Sequence, residues 1–525
     1  MKIFGKIVAP LSVAALVGAL LLAACASAAA PVPREAGKPY SLVVLHTNDT
    51  HGTVLPVDGR GGLAERAAYV SQVRAENRNV LLLDAGDMNT GTAISNMFAA
   101  EPDVRAYNMM GYDAMAVGNH DVSYGRDRFR MQGNLADFPI FSSNVMDGRS
   151  FLGGRRYVVK DFDGFRVGIF ALTTLRTREI AAGPFVRGLK FVDEIEAARS
   201  AVNMLRGRES ADIVIALTHI GDASEIDGHV TSPVLAAAVP GIDLIVDGHS
   251  HTLFSEPALV GETRIVSVGT RGLQVGTAEI VVVDGNIADF VWKPVEIAGF
   301  APDAAVSAML APYVEKAEEA LGEVVGRAAG EFVFGDRLTR FRETEIGNMV
   351  TDGIAWFARN AFGQTVDFAF TNGGGIRAPL PAGDITRGGI LTILPFENFV
   401  YVASLSGARV VELFDFIATI PPGNGGFPQF SGEVRYTVNV RDRVVSDLTI
   451  GGLPVDPDRT YRFATNDFTL GGGDGYTVLT NATEAFSTST LLSDAVIEYI
   501  RHVQSVSGPI VPSTDGRMVV VGGAL

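Results

Sequence analysis

A single cysteine, Cys25, stands in 525 residues. No internal disulfide can form, so stability has to come from core packing, and a metal site rich in thiolates is excluded. Positive charge is also in short supply. Lys and Arg number 43 against 59 Asp and Glu, for a formal net charge of −16. That balance argues against a nucleic-acid polymer or an anionic membrane surface as partner. Small anionic substrates remain open, because bound cations can dominate the field inside a site. Beyond the first 25 residues no apolar run approaches the length of a membrane span. Solenoid-type repeats, low-complexity tracts after residue 38 and a Gly-Lys-Ser/Thr phosphate loop are all missing. What is present is ample apolar material, 47% of residues, for about two sizeable domains.

The start of the chain is a separate unit. Lys2 and Lys6 form a short basic stretch, Ile7 to Leu22 are apolar, and Leu22-Ala23-Ala24 lead to Cys25. Residues 1–24 with Cys25 resemble the signal and lipobox of a bacterial lipoprotein. The resemblance implies cleavage before Cys25, a lipid anchor on Cys25, and an exported protein on the periplasmic side of a bacterial membrane. Ala26, in place of the Asp associated with inner-membrane retention, points by the same resemblance to the outer membrane. An ordinary signal peptide is the other reading. Removal of Lys2 and Lys6 takes the charge from −16 to −18. Residues 25–38, with Pro31 and Pro33, read as a tether.

From 39 to 300, apolar strands alternate with amphipathic segments such as 62–74 and 192–206, which predicts a layered α/β domain. Residues 270–295 read as antiparallel strands turning at Asp284-Gly285-Asn286. Residues 301–325 have helical spacing and are expected to form a connector helix, kinked or restarted at Pro312. A second α/β domain is expected over 326–525. Its helices are placed at 343–360, 408–417 and 491–503, and a strand at 366–370.

Five strands of the first domain run into metal-ligand residue types. Leu42 to Leu45 leads to Asn48-Asp49-Thr50-His51, and Val80 to Leu83 leads to Asp84-Ala85-Gly86-Asp87. Ala114 to Val117 leads to Gly118-Asn119-His120-Asp121, and Ile213 to Leu217 leads to Thr218-His219. Ile242 to Val246 leads to Asp247-Gly248-His249-Ser250-His251. Asp49 and His51, two apart, point to one side if the chain stays extended. Open α/β sheets gather ligands at the carboxyl ends of their strands, and five of the eight histidines stand at these ends. Asp49, His51, Asp87, Asn119, His219, His249 and His251 are too many donors for one tetrahedral ion and suit two ions sharing a carboxylate. Mixed nitrogen and oxygen donors favour Zn, Mn, Co or Fe(II) over Mg or Ca.

These blocks resemble the calcineurin-like metallophosphatases, and their order and spacing resemble the bacterial 5′-nucleotidase/UDP-sugar hydrolase family. The resemblance implies an αββα phosphoesterase domain. It implies that Asp87 bridges two divalent metals, that Asp49, His51 and His251 complete one site, and that Asn119, His219 and His249 complete the other. It also implies that His120 is not a ligand and instead steadies the phosphoryl oxygens or the leaving group. The family places an Asp three residues after that histidine, and this chain has Ser123. Ser123 can accept from an imidazole but supplies no charge, which keeps the exact substrate open.

In the second half, Thr371-Asn372-Gly373-Gly374-Gly375-Ile376-Arg377 follows a strand, and Arg377 is a candidate fork for phosphate or carboxylate. Pro395-Phe396 and Phe468 to Tyr476 put phenylalanines beside turn chemistry, where a pair on loops can sandwich a nucleobase. These stretches resemble the family's nucleotide-binding C-terminal domain. The resemblance implies that Phe396 and Phe468 stack the base, that Asp474 holds the ribose hydroxyls, and that Arg342, Asn372 and Arg377 contact the sugar-phosphate side. The expected activity is hydrolysis of nucleotides to nucleosides and phosphate. Hydrolysis of 2′,3′-cyclic nucleotides, 3′-nucleotides or UDP-sugars is the neighbouring reading. A thiosulfohydrolase of the same fold is disfavoured by the intact nucleoside pocket, and a surface nucleotide-binding protein or adhesin by the complete ligand set.

Overall fold

The computed structural model describes residues 35–522 apart from 123, 124, 181–185, 187, 224–228, 336 and 397, and apart from the side chains of 179, 180 and 489. Cys25, most of the tether and Ser123 lie outside the described residues.

Six strands carry the site: β1 (Tyr40–Thr47), β2 (Val80–Asp84), β3 (Ala114–Ala116), β4 (Phe165–Thr173), β5 (Ile213–His219) and β6 (Leu244–Val246). They are divided between two six-stranded sheets. In one, β1, β2 and β3 are parallel neighbours, and β1 also pairs antiparallel with Gln274–Val283. In the other, β4, β5 and β6 are parallel neighbours. All six therefore present their carboxyl ends to the same rim.

Strand alternation explains the layering. Leu42, Val44, Leu81 and Leu83 of one sheet meet Val167, Ile169, Ile213, Ile215 and Leu244 of the other in a single core. The opposite faces are covered by helices. Val43, Leu45 and Leu82 lie with Val70, Val104 and Tyr107, while Phe170, Val214 and Ile245 lie with Ala198, Val202 and Leu235. Helix on sheet on sheet on helix is the expected αββα order, and near-continuous apolar strands are what burial on both faces demands.

The hairpin over 270–295 is present as Gln274–Val283 paired with Asn286–Glu296. Asp284 (φ 49°) and Gly285 (φ 81°) take the left-handed conformations that a two-residue turn between twisted strands needs. The connector helix is shorter than expected, Ala304–Leu321, and is one element through Pro312. Its Val306 and Leu310 join the first domain's core. Val324–Ala328 is a strand paired with Gly383–Thr386, so 324 and 325 belong to the second domain's structure.

That domain has a five-stranded sheet ordered Pro428–Phe430, Phe368–Asn372, Thr460–Asn466, Phe399–Ser406, Thr483–Leu491. One face packs on the helices Glu345–Trp356 and Leu492–Ser507, the other on Gly407–Thr419. The strand expected over 366–370 starts at Phe368 and runs to Asn372, which places Asn372 at its end. Two helices expected to run to 206 and 360 end as α-helix at Asn203 and Trp356 and finish in wider π turns.

Candidate metal centre

Three donor sets meet at the rim. Asp49, His51 and His251 form one cluster, and Asp49, Asp87 and His219 a second. His249 Nδ1 and Asn119 Oδ1 are 2.9 Å apart, and the His249 backbone N–H donates to Asp49 at 3.1 Å. The close approach relies on glycines. A Cβ on Gly118 would lie 2.0 Å from Asp87 Oδ1, and one on Gly248 would lie 2.9 Å from both Asp49 Oδ2 and His219 Nδ1.

The chain after β1 does not stay extended, so the condition set for Asp49 and His51 is not met, yet both reach the same cluster. Asp49 (φ 49°), His51 (φ 46°), Asp87 (φ 55°), His249 (φ 81°) and His251 (φ 55°) all occupy the left-handed region. Such conformations persist where the surroundings over-determine them, and they cluster at functional sites. Asp121 supplies part of that constraint: its carboxylate accepts from Gly118 N–H (2.8 Å), Asp87 N–H (2.9 Å) and Met88 N–H (3.2 Å), tying two strand ends together. Asn48 orients Asp49 by donating to its Oδ2 at 2.8 Å. Neither role was visible from residue type alone.

The donors fit a cation better than they fit one another. His219 Nδ1 donates to the Ala85 carbonyl at 2.8 Å. Its buried Nε2, which has no hydrogen-bond partner, then faces Asp87 Oδ2 at 3.1 Å and Asp49 Oδ1 at 3.9 Å. His51 Nδ1 donates to the Thr90 carbonyl, and its Nε2 lies 3.0 Å from His251 Nε2, which is 3.4 Å from Asp49 Oδ1. The lone pairs opposed at buried His219 and its two carboxylates call for positive charge between them. Titration behaviour agrees. Burial pushes His51 and His249 down to about 4, the neutral form a metal needs. Burial also opposes the charged forms of Asp87 and His219. The facing imidazoles nevertheless hold Asp87 well below the usual carboxylate range, and Asp87 and Asp49 lift His219 to about 10.

Asp49 is the residue common to both clusters, whereas Asp87 lies in one and feels the charges of both His51 and His219. The ring of His120 stands 5.3 Å from that of His51, edge to face, and its backbone N–H donates to Asp87 Oδ1 at 2.8 Å.

The second domain brings most of its expected group together. Asn372 Nδ2 donates to Asp474 Oδ2 at 2.8 Å, and the Arg377 guanidinium lies 5.2 Å over the Phe396 ring. Phe396 and Phe468 are 45% and 46% exposed. Phe468 lies across Gly473, where a Cβ would come within 2.6 Å of its ring. Arg342 is not with them. It lines a separate cavity with Val333, Leu338, Glu343 and Met518. Arg340 lies nearer the group: burial and the charges of Arg377 and Arg337 lower its guanidinium, and Asp474 opposes them. A cleft of about 780 Å³ lies between the domains, with Gly91, Asn96 and Arg128 on one side and Arg387, Phe396 and Phe399 on the other.

Residues 42–253 match the calcineurin-like phosphoesterase family, and residues 324–481 match the 5′-nucleotidase C-terminal domain. Fold and ligand cluster together define a metal-dependent phosphoester hydrolase. The chain is 32% identical over 528 residues to a 5′-nucleotidase of Vibrio cholerae, covering 91% of this chain and 93% of that one. It is 30% identical to protein UshA of Escherichia coli, covering 89% and 92%. It therefore belongs to the 5′-nucleotidase family. Among solved structures, a 5′-nucleotidase precursor from Thermus thermophilus is similar with a TM-score of 0.67 at 29% identity, over 92% of this chain and all (100%) of that one. A putative 5′-nucleotidase from Staphylococcus aureus reaches 0.75 at 19% identity, over 92% and 100%, a likeness of fold.

Proposed function

We propose that this chain hydrolyses nucleotides to nucleosides and phosphate at a centre of two divalent transition metals. The observation that carries the reading is the buried, unpartnered Nε2 of His219 facing the carboxylates of Asp87 and Asp49. Asp49, His51 and His251 would hold one ion and Asn119, His219 and His249 the other, with Asp87 between. Bound divalent ions supply Lewis acidity toward phosphoryl oxygens and acidify water at neutral pH.

The chain's own residues do the rest. Asp121 and Asn48 fix the carboxylates, so the donor set is pre-shaped. His120, partly exposed beside His51, assists the leaving oxygen. Phe396 and Phe468 offer two exposed faces for a base, Asp474 and Asn372 take the ribose, and Arg377 with Arg340 meets the anionic side. The Vibrio cholerae relative's name supports nucleotides as the substrate class.

We also infer export with a lipid anchor at Cys25, from the lipobox resemblance. Among the described residues no helix is long and apolar enough to cross a membrane. Two or three acyl chains, at about 0.8 kcal/mol per buried CH₂, would hold the protein firmly. Cys25→Ser should then leave uncleaved precursor in the membrane; normal processing to soluble protein would refute the anchor.

A phosphate-release assay on the purified mature protein with added Mn²⁺ tests the activity. Nucleoside monophosphates should release phosphate well ahead of sugar phosphates, and release from none of a panel of phosphoesters would refute the reading. The same panel, extended to 2′,3′-cyclic nucleotides and UDP-sugars, separates the branches left open by Ser123.

A further inference from the structure

The rim carries an arginine that the two clusters do not use. β4 ends at Thr173, paired in register with His219 of β5. The turn that follows is fastened to two ligand-bearing strand ends. The Thr174 N–H donates to the His219 carbonyl at 3.0 Å. Thr173 Oγ1 donates at 2.7 Å to the carbonyl of Val117, two residues before Asn119. Arg176 stands on this turn. It is half-buried, and its Nε is shut off from solvent without a hydrogen-bond partner. Its guanidinium makes no ion pair among the described residues.

An arginine with no ion pair among the described residues is out of place beside a set of imidazoles meant to hold cations. The chain has carboxylates to spare, 59 of them, and comparable side chains such as Arg206 and Arg359 are paired with one. A guanidinium that no carboxylate among the described residues holds, at the rim of a phosphoryl site, has the planar donor fork that suits phosphate oxygens.

We propose that Arg176 binds the phosphate group undergoing transfer, on the side of the centre formed by Asn119, His219 and His249. This rests on reading the centre as a phosphoesterase and adds a substrate contact to it. The contact joins the turn after β4, the sixth strand end, to the five that carry ligands.

Binding of inorganic phosphate to the metal-loaded protein, followed by calorimetry, reads the contact without turnover. Arg176→Ala should weaken phosphate about ten- to hundredfold, the usual worth of a charge-assisted fork. Arg176→Lys should recover part of the loss, and metal content and melting temperature should stay at wild-type values. Unchanged phosphate affinity in Arg176→Ala would overturn the proposal. So would loss of metal in step with phosphate, because Arg176 would then only support the His249 loop. Phosphate release by the wild-type protein is measured separately. If release fails while Arg176-dependent phosphate binding holds, the hydrolase reading falls and this contact stands.

Discussion

His219 Nε2 lies 3.1 Å from Asp87 Oδ2, and the other ring nitrogen is already committed to the Ala85 carbonyl. The two atoms approach closely although neither has a proton to share when the imidazole is neutral. Either the ring takes up a proton, which the pull of Asp87 and Asp49 favours, or a metal ion occupies the space. The same arrangement recurs between His51 and His251, 3.0 Å apart beside Asp49. The centre is shaped for charge that its own side chains do not carry.

His120 is assigned to the reaction and not to the ions. His120→Ala should lower kcat by roughly 10²–10⁴, the range of acid–base assistance, and leave metal content intact. Metal analysis beside steady-state kinetics checks both. Loss of metal in proportion to activity would make His120 a ligand.

Asp121 gathers three backbone N–H groups from the loops that carry Asp87 and Asn119. Asp121→Ala should weaken metal binding by about 10- to 100-fold, as removal of a group that orients ligands generally does. A metal titration of the mutant that overlays the wild type would remove this role.

On the proposed reading, Phe396 and Phe468 divide substrate selection from chemistry. Stacking is worth about 1–3 kcal/mol per base, so Phe396→Ala and Phe468→Ala should lower kcat/KM for a nucleotide roughly five- to 150-fold. A small aryl phosphate should be hydrolysed almost as before. An unchanged ratio of the two activities would mean that these rings do not stack a base.

How much of this was legible in the sequence depends on what each residue needed. The rim was legible, because apolar strands running into Asp, Asn and His are a pattern that survives without coordinates. The pairing of Asn372 with Asp474 and of Arg377 with Phe396 matches groupings that the family resemblance implied, on loops that turn residues mark. Arg342, expected with them, lines a cavity of its own, and residue type alone does not tell which way a side chain leaves a short turn. The left-handed backbone at Asp49, His51 and Asp87 was hidden, since these side chains carry no mark of positive φ and only the surrounding packing enforces it. Arg176 was hidden too: one arginine after an apolar strand resembles any surface cation until its partners are known to be missing.

Asp103 gives a prediction about stability that is independent of the centre. It is buried, and its Oδ2 has no hydrogen-bond partner. Burial raises its carboxyl to about 7, with Ser95 and Arg66 opposing. A raised folded-state pKa favours the protonated folded form, so its contribution is fully present below about pH 4 and is lost as pH climbs through about 7. The loss is about 1.4 kcal/mol for each unit of displacement. Asp103→Asn stays neutral throughout. Its melting temperature relative to wild type should therefore rise between about pH 5 and about pH 8. A difference that does not change with pH would contradict the assignment.

The central claim is a two-metal centre spanned by Asp87. The most direct test is metal content per chain in active wild-type protein, Asp87→Asn and His51→Ala, by elemental analysis after removal of loosely bound ions. The account predicts two equivalents in the wild type, reduced occupancy of both sites in Asp87→Asn, and loss centred on one site in His51→Ala. At most one equivalent in fully active wild-type protein would contradict it.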